Sequence, residues 1–182
     1  MPIMPSDSLL MMPSLTHARS YQAAVEEGYQ PDPAAPKLDG TPASLGAHLV
    51  WLNEQGGRVV LPDGSMTERM PHVQLWLTHA YTFIGRVNIR FRLTPELQVW
   101  GGHIGYAIRP SFQGRGFGTH LLGLAIPTAR AAGLSGLLLT CLDTNIGSIK
   151  VIEANGGKRI GSGPHRWHPE LTALRYWIEA EG

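Results

Sequence analysis

Cysteine, charge and long apolar runs are all scarce in this sequence. Its 182 residues include one cysteine, Cys141, which excludes an intramolecular disulfide and fits a reducing compartment. Charged residues make up 16% of the chain and the net charge is +1, which removes the electrostatic argument for a general nucleic-acid or membrane-surface binder. The early LLMM run is short and no basic segment precedes it, so neither a signal peptide nor a membrane span is supported. We therefore expect a cytoplasmic protein.

The length and the 43% hydrophobic content suit one buried core rather than two. Residues 1–40 are predicted to form an N-terminal arm of the same domain, with a helix over LTHARSYQAAVEEGY that stops near Gly28 and a Pro-rich loop behind it. Residues 41–182 form the main body. Between Arg109 and Arg175 there are eight Lys or Arg against three Asp or Glu, so this half of the chain suits an anionic ligand.

The hydrophobic period changes twice along residues 41–182. The first segment, TPASLGAHLVWLNEQGG, places Leu45, Leu49 and Leu52 on one helical face. After the turn-rich LPDGSMTERMP, the alternating stretches HVQLWLTHA and TFIGRVNIRF predict a hairpin, and QVWGGHIGYAIRP predicts a third strand whose glycine pair marks a bulge or a close backbone approach.

From Gly118 onward, helices and strands alternate. The predicted elements are a helix GTHLLGLAIPTARAAG that Pro127 kinks or breaks, a buried strand LLLTCL, a helix NIGSIKVIEANGG and a last strand LTALRYWIEA. The pattern predicts an α/β fold with a mixed, mainly antiparallel sheet flanked by helices, splayed beside the strand that ends at Pro110.

The stretch QGRGFG lies between the third strand and a helix. Three glycines allow a ligand to approach the main chain, and the unpaired N–H groups at a helix start favour negative charge. The spacing fits neither the P-loop nor the dinucleotide fingerprint G-x-G-x-x-G, because Thr119 and His120 follow Gly118. The loop is therefore either an anion cradle of another kind or a plain strand-to-helix turn.

QGRGFG matches the pattern Q/R-x-x-G-x-G/A. Together with IRP upstream and TCLDTNIGSIKVIEANGG downstream, it makes residues 70–180 resemble the GNAT superfamily of acetyl-CoA-dependent N-acetyltransferases. Within that superfamily, GGHIGYAIRPSFQGRGFGTHLL and RYWI are similar to a bacterial group of predicted acetyltransferases. The resemblance implies a GNAT-like fold and an acetyl donor, acetyl-CoA, but no acceptor.

The resemblance also implies which residues bind acetyl-CoA. The pyrophosphate would lie on the backbone of Gln113, Gly114, Arg115, Gly116, Phe117, Gly118 and Thr119. The pantetheine arm would pair with the main chain around Ala107 and Ile108, as an added strand would, with Asn145 and Ser148 nearby. From spacing alone, Asn145 and Ser148 also fit a helix N-cap and a solvated serine.

Acetylation of an amine needs the neutral amine, so a base is valuable. His103 is the candidate general base, although a strand histidine is often structural. Many relatives place a proton-donating tyrosine where this chain has Ile152, which leaves Tyr106 and Tyr176 as candidate acids. We expect His103 and Tyr176 to be catalytic, and we expect direct transfer in a ternary complex, with Cys141 as a core residue. The alternative is a non-catalytic acyl-CoA-binding sensor.

The acceptor side is less specified. We expect a small molecule or a protein to supply the amine, and we expect no nucleic-acid or membrane partner. No metal site is expected either, since the two histidines of HRWH lack a third ligand. Arg86, Arg90 and Arg92 alternate along one strand, where they form a solvated face or meet an acidic substrate. Trp167 and Trp177 suit a homodimer contact.

Overall fold

The computed structural model describes residues 2–32, 35–54, 56–60, 64–165 and 168–179. The helices in these ranges are α1 Ala18–Glu26, α2 Pro42–Asn53, α3 Pro95–Val99, α4 Phe117–Ala131 and α5 Ile146–Ala154. The strands are β1 Leu9–Met11, β2 Arg58–Val60, β3 Met66–Glu68, β4 His72–His79, β5 Thr82–Arg90, β6 Ile104–Ile108, β7 Gly136–Leu142, β8 Lys158–Pro164 and β9 Thr172–Glu179. Short 3-10 turns cover Pro5–Asp7, Leu15–His17 and Pro110–Phe112.

The strands form two main sheets and a separate hairpin. One sheet has the order β1-β4-β5-β6, the other has the order β7-β9-β8, and β2 pairs with β3. Each of these strand pairs is antiparallel. The predicted α/β fold with an antiparallel sheet flanked by helices is confirmed. The apolar strand β7 lies between β9 and the junction with β6.

The two main sheets meet where Gly102 bridges to Leu139. Gly102 has φ +65°, and a Cβ on it would lie 2.2 Å from the Leu138 carbonyl oxygen, so only glycine fits this close approach. The predicted close approach at the glycine pair is therefore confirmed. Beyond this point β6 and β7 separate, which leaves an edge of β6 without a strand partner in the described chain.

One face of the first sheet packs against α4 through an apolar core. Val87, Ile89 and Ile104 on the sheet meet Leu121 and Leu122 on the helix, and all are at most 2% exposed. Helix α4 continues through Pro127 to Ala131, so the predicted break at this proline does not occur. Helix α5 closes the core with the fully buried Ile152.

Helices α1 and α2 cover the opposite face. Tyr21 of α1 stacks on Trp76 of β4 at 4.6 Å, and Phe83 of β5 meets both rings edge-on. Leu45, Leu49 and Leu52 of α2 are buried, as their spacing predicts. Helix α2 begins where the Thr41 hydroxyl accepts from Ser44 N–H, with Pro42 as its first residue.

Two segments differ from the prediction. The predicted strand QVWGGHIGYAIRP is a strand only at Ile104–Ile108, because its first part belongs to α3, whose N-cap Thr94 accepts from Leu97 N–H at 3.3 Å. The turn-rich segment LPDGSMTERMP contains the short strand β3. No helix in the described ranges has the length and the apolar character to cross a membrane.

Candidate active site

The loop between β6 and α4 carries the glycines singled out by the sequence. Gly114 and Gly116 have φ +69° and +84°, and Gly116 is the N-cap of α4. The first main-chain bond of the helix runs from His120 N–H to the Gly116 carbonyl at 3.1 Å. Within the described residues, the N–H groups from Gly114 to Thr119 have no main-chain acceptor, so they are free to bind an anion.

Two aromatic side chains hold this loop in place. Phe117 is 1% exposed and meets Phe112 edge-on at 5.2 Å. Arg115 lies over both rings, with its Cζ 5.1 Å from the Phe112 centroid and 5.5 Å from the Phe117 centroid. Because Phe117 is anchored in the core, its contribution to the cradle is its N–H rather than its side chain.

The N-terminal segment also contacts the loop, which the sequence did not predict. Arg115 Nη2 donates to the Ile3 carbonyl at 3.2 Å. A Cβ on Gly116 would lie 3.6 Å from Pro5 Cγ. Short segments of this kind carry no periodic signal, so only the folded chain reveals the contact.

The free edge of β6 has a defined hydrogen-bonding pattern. Arg90 N–H donates to the His103 carbonyl and Arg109 N–H donates to the Ile84 carbonyl, so the odd-numbered residues of β6 direct their main-chain groups toward β5. Ala107 is among them. The main-chain groups of Tyr106 and Ile108 therefore point to the free edge, and Gln113 Nε2 already donates to the Ile108 carbonyl at 2.9 Å.

His103 lies at the junction of the two sheets and bonds twice to one residue. Its N–H donates to the Leu138 carbonyl at 2.7 Å, and Leu138 N–H donates to His103 Nδ1 at 2.9 Å. Because Nδ1 accepts, the neutral ring carries its proton on Nε2 and has no free lone pair. Burial, and next the Arg90 charge, lower the pKa of His103. This geometry supports a structural role for His103 and does not support the expected role of His103 as general base.

A hydroxyl pair lies where β6 diverges from β7. The Tyr106 hydroxyl is 2.8 Å from Ser148 Oγ at the start of α5, and burial raises the pKa of Tyr106 to about 12. Asn145 Oδ1 accepts from Ser148 N–H at 3.0 Å, so Asn145 has an N-cap role. Tyr106 and Ser148 are thus brought together beside the free edge of β6.

A protein-family model matches most of this chain. The model of the acetyltransferase (GNAT) domain family matches residues 12–158. The chain belongs to the GNAT acetyltransferase family. It is a GNAT-type N-acetyltransferase, and the expected family and enzyme class are confirmed. A comparison with curated protein sequences finds no match.

Solved structures of other GNAT proteins share the fold. The ribosomal-protein-S5-alanine acetyltransferase from Vibrio fischeri has a TM-score of 0.64 at 16% identity, covering 96% of this chain and 94% of its own. RimJ from Mycobacterium smegmatis, in complex with CoA-disulfide, has a TM-score of 0.64 at 18% identity, covering 95% and 82%. The protein yncA from Salmonella typhimurium, with its cofactor acetyl-CoA, has a TM-score of 0.56 at 14% identity, covering 96% and 95%.

The remaining candidates, Tyr176, Cys141 and Ile152, belong to the buried core. Tyr176 is 2% exposed in the core, and its hydroxyl donates to Glu153 Oε1 at 3.1 Å. Cys141 is buried, and burial raises the pKa of its thiol. Ile152 is a fully buried core residue. Of the two tyrosines left open by the sequence, Tyr106 is the one beside the diverging strands.

Trp177, one of the two tryptophans expected at a homodimer contact, is half-buried against Gly136, and its Nε1 donates to Glu179 Oε1 at 3.0 Å. The homodimer contact stays a prediction. Trp167, and with it part of HRWH, lies outside the described residues. His165 stacks edge-on against Trp100 at 4.1 Å, and within the described ranges no group of three metal-ligating side chains occurs.

A cavity of about 310 Å³ opens beside the junction. Its walls come from the β2–β3 hairpin, β4, β5 and α3, and it reaches Gly101, two residues before His103. Sequence reasoning missed it because two three-residue strands and one five-residue helix enclose it. The alternation of polar residues on β4 and β5 was the available signal.

Proposed function

We propose that this GNAT protein transfers the acetyl group of acetyl-CoA directly to a primary amine within a ternary complex. The unpaired N–H groups from Gly114 to Thr119, at the dipole-positive end of α4, carry this proposal because they suit a pyrophosphate. RimJ and yncA, the two similar structures described with CoA-type ligands, support the same choice of donor.

The pantetheine arm would extend the first sheet along the free edge of β6. The main-chain groups of Tyr106 and Ile108 face that edge, whereas those of Ala107 are engaged with β5. Binding in this register requires Gln113 to release the Ile108 carbonyl or share it with the ligand.

In the transfer step, the neutral amine attacks the thioester carbonyl, the new C–N bond forms and the C–S bond breaks. The amine loses one proton and the CoA thiolate gains one, so the step balances. Tyr106 would donate a hydrogen bond to the leaving sulfur. With a pKa of about 12 it stabilises the thiolate better than it protonates it, since a thiol has a pKa near 8.5.

No covalent acetyl-enzyme is required. Cys141 is 5% exposed, and its raised pKa disfavours the nucleophilic thiolate. Cys141→Ser should therefore leave turnover nearly unchanged.

The test is CoA thiol release over a panel of amines, with mass detection of the acetylated product. Initial rates should give intersecting double-reciprocal lines, as a ternary complex requires. Parallel lines together with a large loss in Cys141→Ser would contradict direct transfer. Tight acetyl-CoA binding without turnover of any amine would instead favour the sensor.

A further inference from the structure

The first sheet presents an unusually polar face toward α1, α2 and the cavity. On β4 and β5 the directly opposed pairs on this face are His72 with Arg90, Gln74 with Asn88, and Trp76 with Arg86. Of the three arginines expected to form a solvated face or to meet an acidic substrate, Arg86 and Arg90 lie on this face with the buried Asn88 between them, 8% exposed, while Arg92 lies exposed beyond the strand.

Several polar groups on this face have no partner within the described chain. Gln74 Nε2 and Asn88 Oδ1 are buried without a hydrogen bond. A buried polar group without a hydrogen bond loses its hydration without compensation. Unsatisfied buried groups at paired positions are explained more readily by a ligand or water layer than by packing.

Arg90 lines the cavity, and its Nη1 donates to the Gly102 carbonyl at 3.1 Å. Burial lowers the pKa of the Arg90 guanidinium, and the negative charge of Asp32, on the same cavity wall, only partly opposes this shift. Arg86 lies four residues away on the same face of β5, so two guanidinium groups share one poorly hydrated region. An anion beside Arg90 would relieve the burial of this charge.

Arg69 is a useful contrast on the same cavity wall. Its Nη1 donates to the Trp51 carbonyl at 2.9 Å, its Nη2 donates to His72 Nε2 at 3.2 Å, and its Cζ lies 4.0 Å from the Trp51 ring centroid. The Arg69 guanidinium is thus held by two hydrogen bonds and a ring contact, whereas the described hydrogen bond of Arg90 is the one to the Gly102 carbonyl.

The cavity also offers carboxylates and a limited volume. Asp32, Glu68 and Glu96 line it together with Arg90, so both signs of charge face the same space. A volume of about 310 Å³ lies at the small end for ligand sites. This combination suits a small molecule with an ammonium and a carboxylate better than a protein terminus.

We infer that the cavity is the acceptor site and that its acceptor is a small amino-carboxylate, whose carboxylate binds Arg90. This inference rests on the proposed transferase function for its chemistry. The cavity reaches Gly101, next to the Gly102–Leu139 bridge where the two sheets meet, and the free edge of β6 proposed for the pantetheine begins beyond this junction.

The first experiment compares L-amino acids with their carboxamides as acceptors in the thiol-release assay. The acids should exceed their amides in kcat/KM by at least about 10-fold, as expected for a charge-assisted bidentate contact. Arg90→Gln should bring the acids down to the level of the amides in kcat/KM and lower the amides by a smaller factor. Arg92→Gln, at an exposed position outside the cavity, is the matched control.

A second readout does not depend on acetyl-CoA. N-acetyl amino acids, the expected products, should raise the Tm of the wild type and of Arg92→Gln, but not of Arg90→Gln. Arg90→Lys keeps the charge without the planar fork and should retain part of the shift, which also guards against a folding defect in Arg90→Gln.

The inference would be overturned by equal kcat/KM for acids and amides, or by equal losses for both in Arg90→Gln. It would also be overturned by faster acetylation of alanine-terminated peptides, or by the absence of any carboxylate-dependent Tm shift. Failure of the proposed function would look different, because no amine would be acetylated while the carboxylate-dependent Tm shift persisted.

Discussion

His103 and Leu138 form a closed pair across the junction of the two sheets, with His103 N–H on the Leu138 carbonyl at 2.7 Å and Leu138 N–H on His103 Nδ1 at 2.9 Å. The histidine side chain thereby takes the place of a main-chain acceptor where the two sheets begin to diverge. We conclude that its main part is to position β6.

Substitution of His103 separates this positioning role from base catalysis. Asparagine can offer its Oδ1 where the ring offers Nδ1, so His103→Asn should keep most of the activity. His103→Ala leaves Leu138 N–H unsatisfied and should lower the free energy of unfolding by about 1–3 kcal/mol. Thermal melts and kcat/KM of both variants check this. A loss of about 100-fold or more in both variants, with native Tm in His103→Asn, would restore the general base.

Acid should destabilise the protein through its buried histidines. Burial lowers the pKa of His103 and of His48, whose Nε2 accepts from the Tyr21 hydroxyl while Nδ1 donates to the Pro36 carbonyl. Because the unfolded chain binds these protons more tightly, stability is complete above about pH 6.5 and falls as pH drops below it. Urea melts between pH 7.5 and 5 should show this fall, with a shallower slope in His103→Asn. Slopes that match the wild type would contradict the assignment of His103.

Tyr106 and Tyr176 should differ in their effect on turnover. Tyr106→Phe removes the hydroxyl next to Ser148 and should lower kcat by about 10–100-fold, the value of one hydrogen bond to a charged group, with acetyl-CoA affinity preserved. Tyr176→Phe removes only the bond to Glu153 and should change stability more than rate. Steady-state kinetics and calorimetry on the two variants measure the effect of each hydroxyl. A larger loss of kcat in Tyr176→Phe than in Tyr106→Phe would support Tyr176 as the acid.

The sequence predicted elements wherever apolar spacing extends over several turns or strand residues. Leu45, Leu49 and Leu52 marked the buried face of α2, and alternation marked the β4–β5 hairpin. A three-residue strand such as β1 has no such pattern, because pairing with distant residues of β4 stabilises it. Thr94 and Pro95 did signal the start of α3, but the strand-like residues after them masked that signal.

The candidate site was predictable from the sequence to the same extent as the fold. The glycine loop was visible because local backbone geometry demands those residues. The part played by His103 was not, since it depends on a hydrogen bond to a residue 35 positions away. For Arg86, Arg90 and Arg92 the sequence left both a solvated face and an acidic-substrate contact open, because alternation shows which residues share a face but not what covers them.

The central claim is that the loop from Gly114 to Thr119 binds the pyrophosphate of acetyl-CoA, and calorimetric titration of acetyl-CoA tests it most directly. Gly116→Asp adds bulk and negative charge at the cradle, whereas Gly133→Asp makes the same change at a glycine of similar φ, +89°, just beyond the other end of α4. The wild type and Gly133→Asp should bind one equivalent with similar Kd, and Gly116→Asp should weaken binding by about 100-fold or more. No binding by the wild type, or equal binding by all three proteins, would contradict the account.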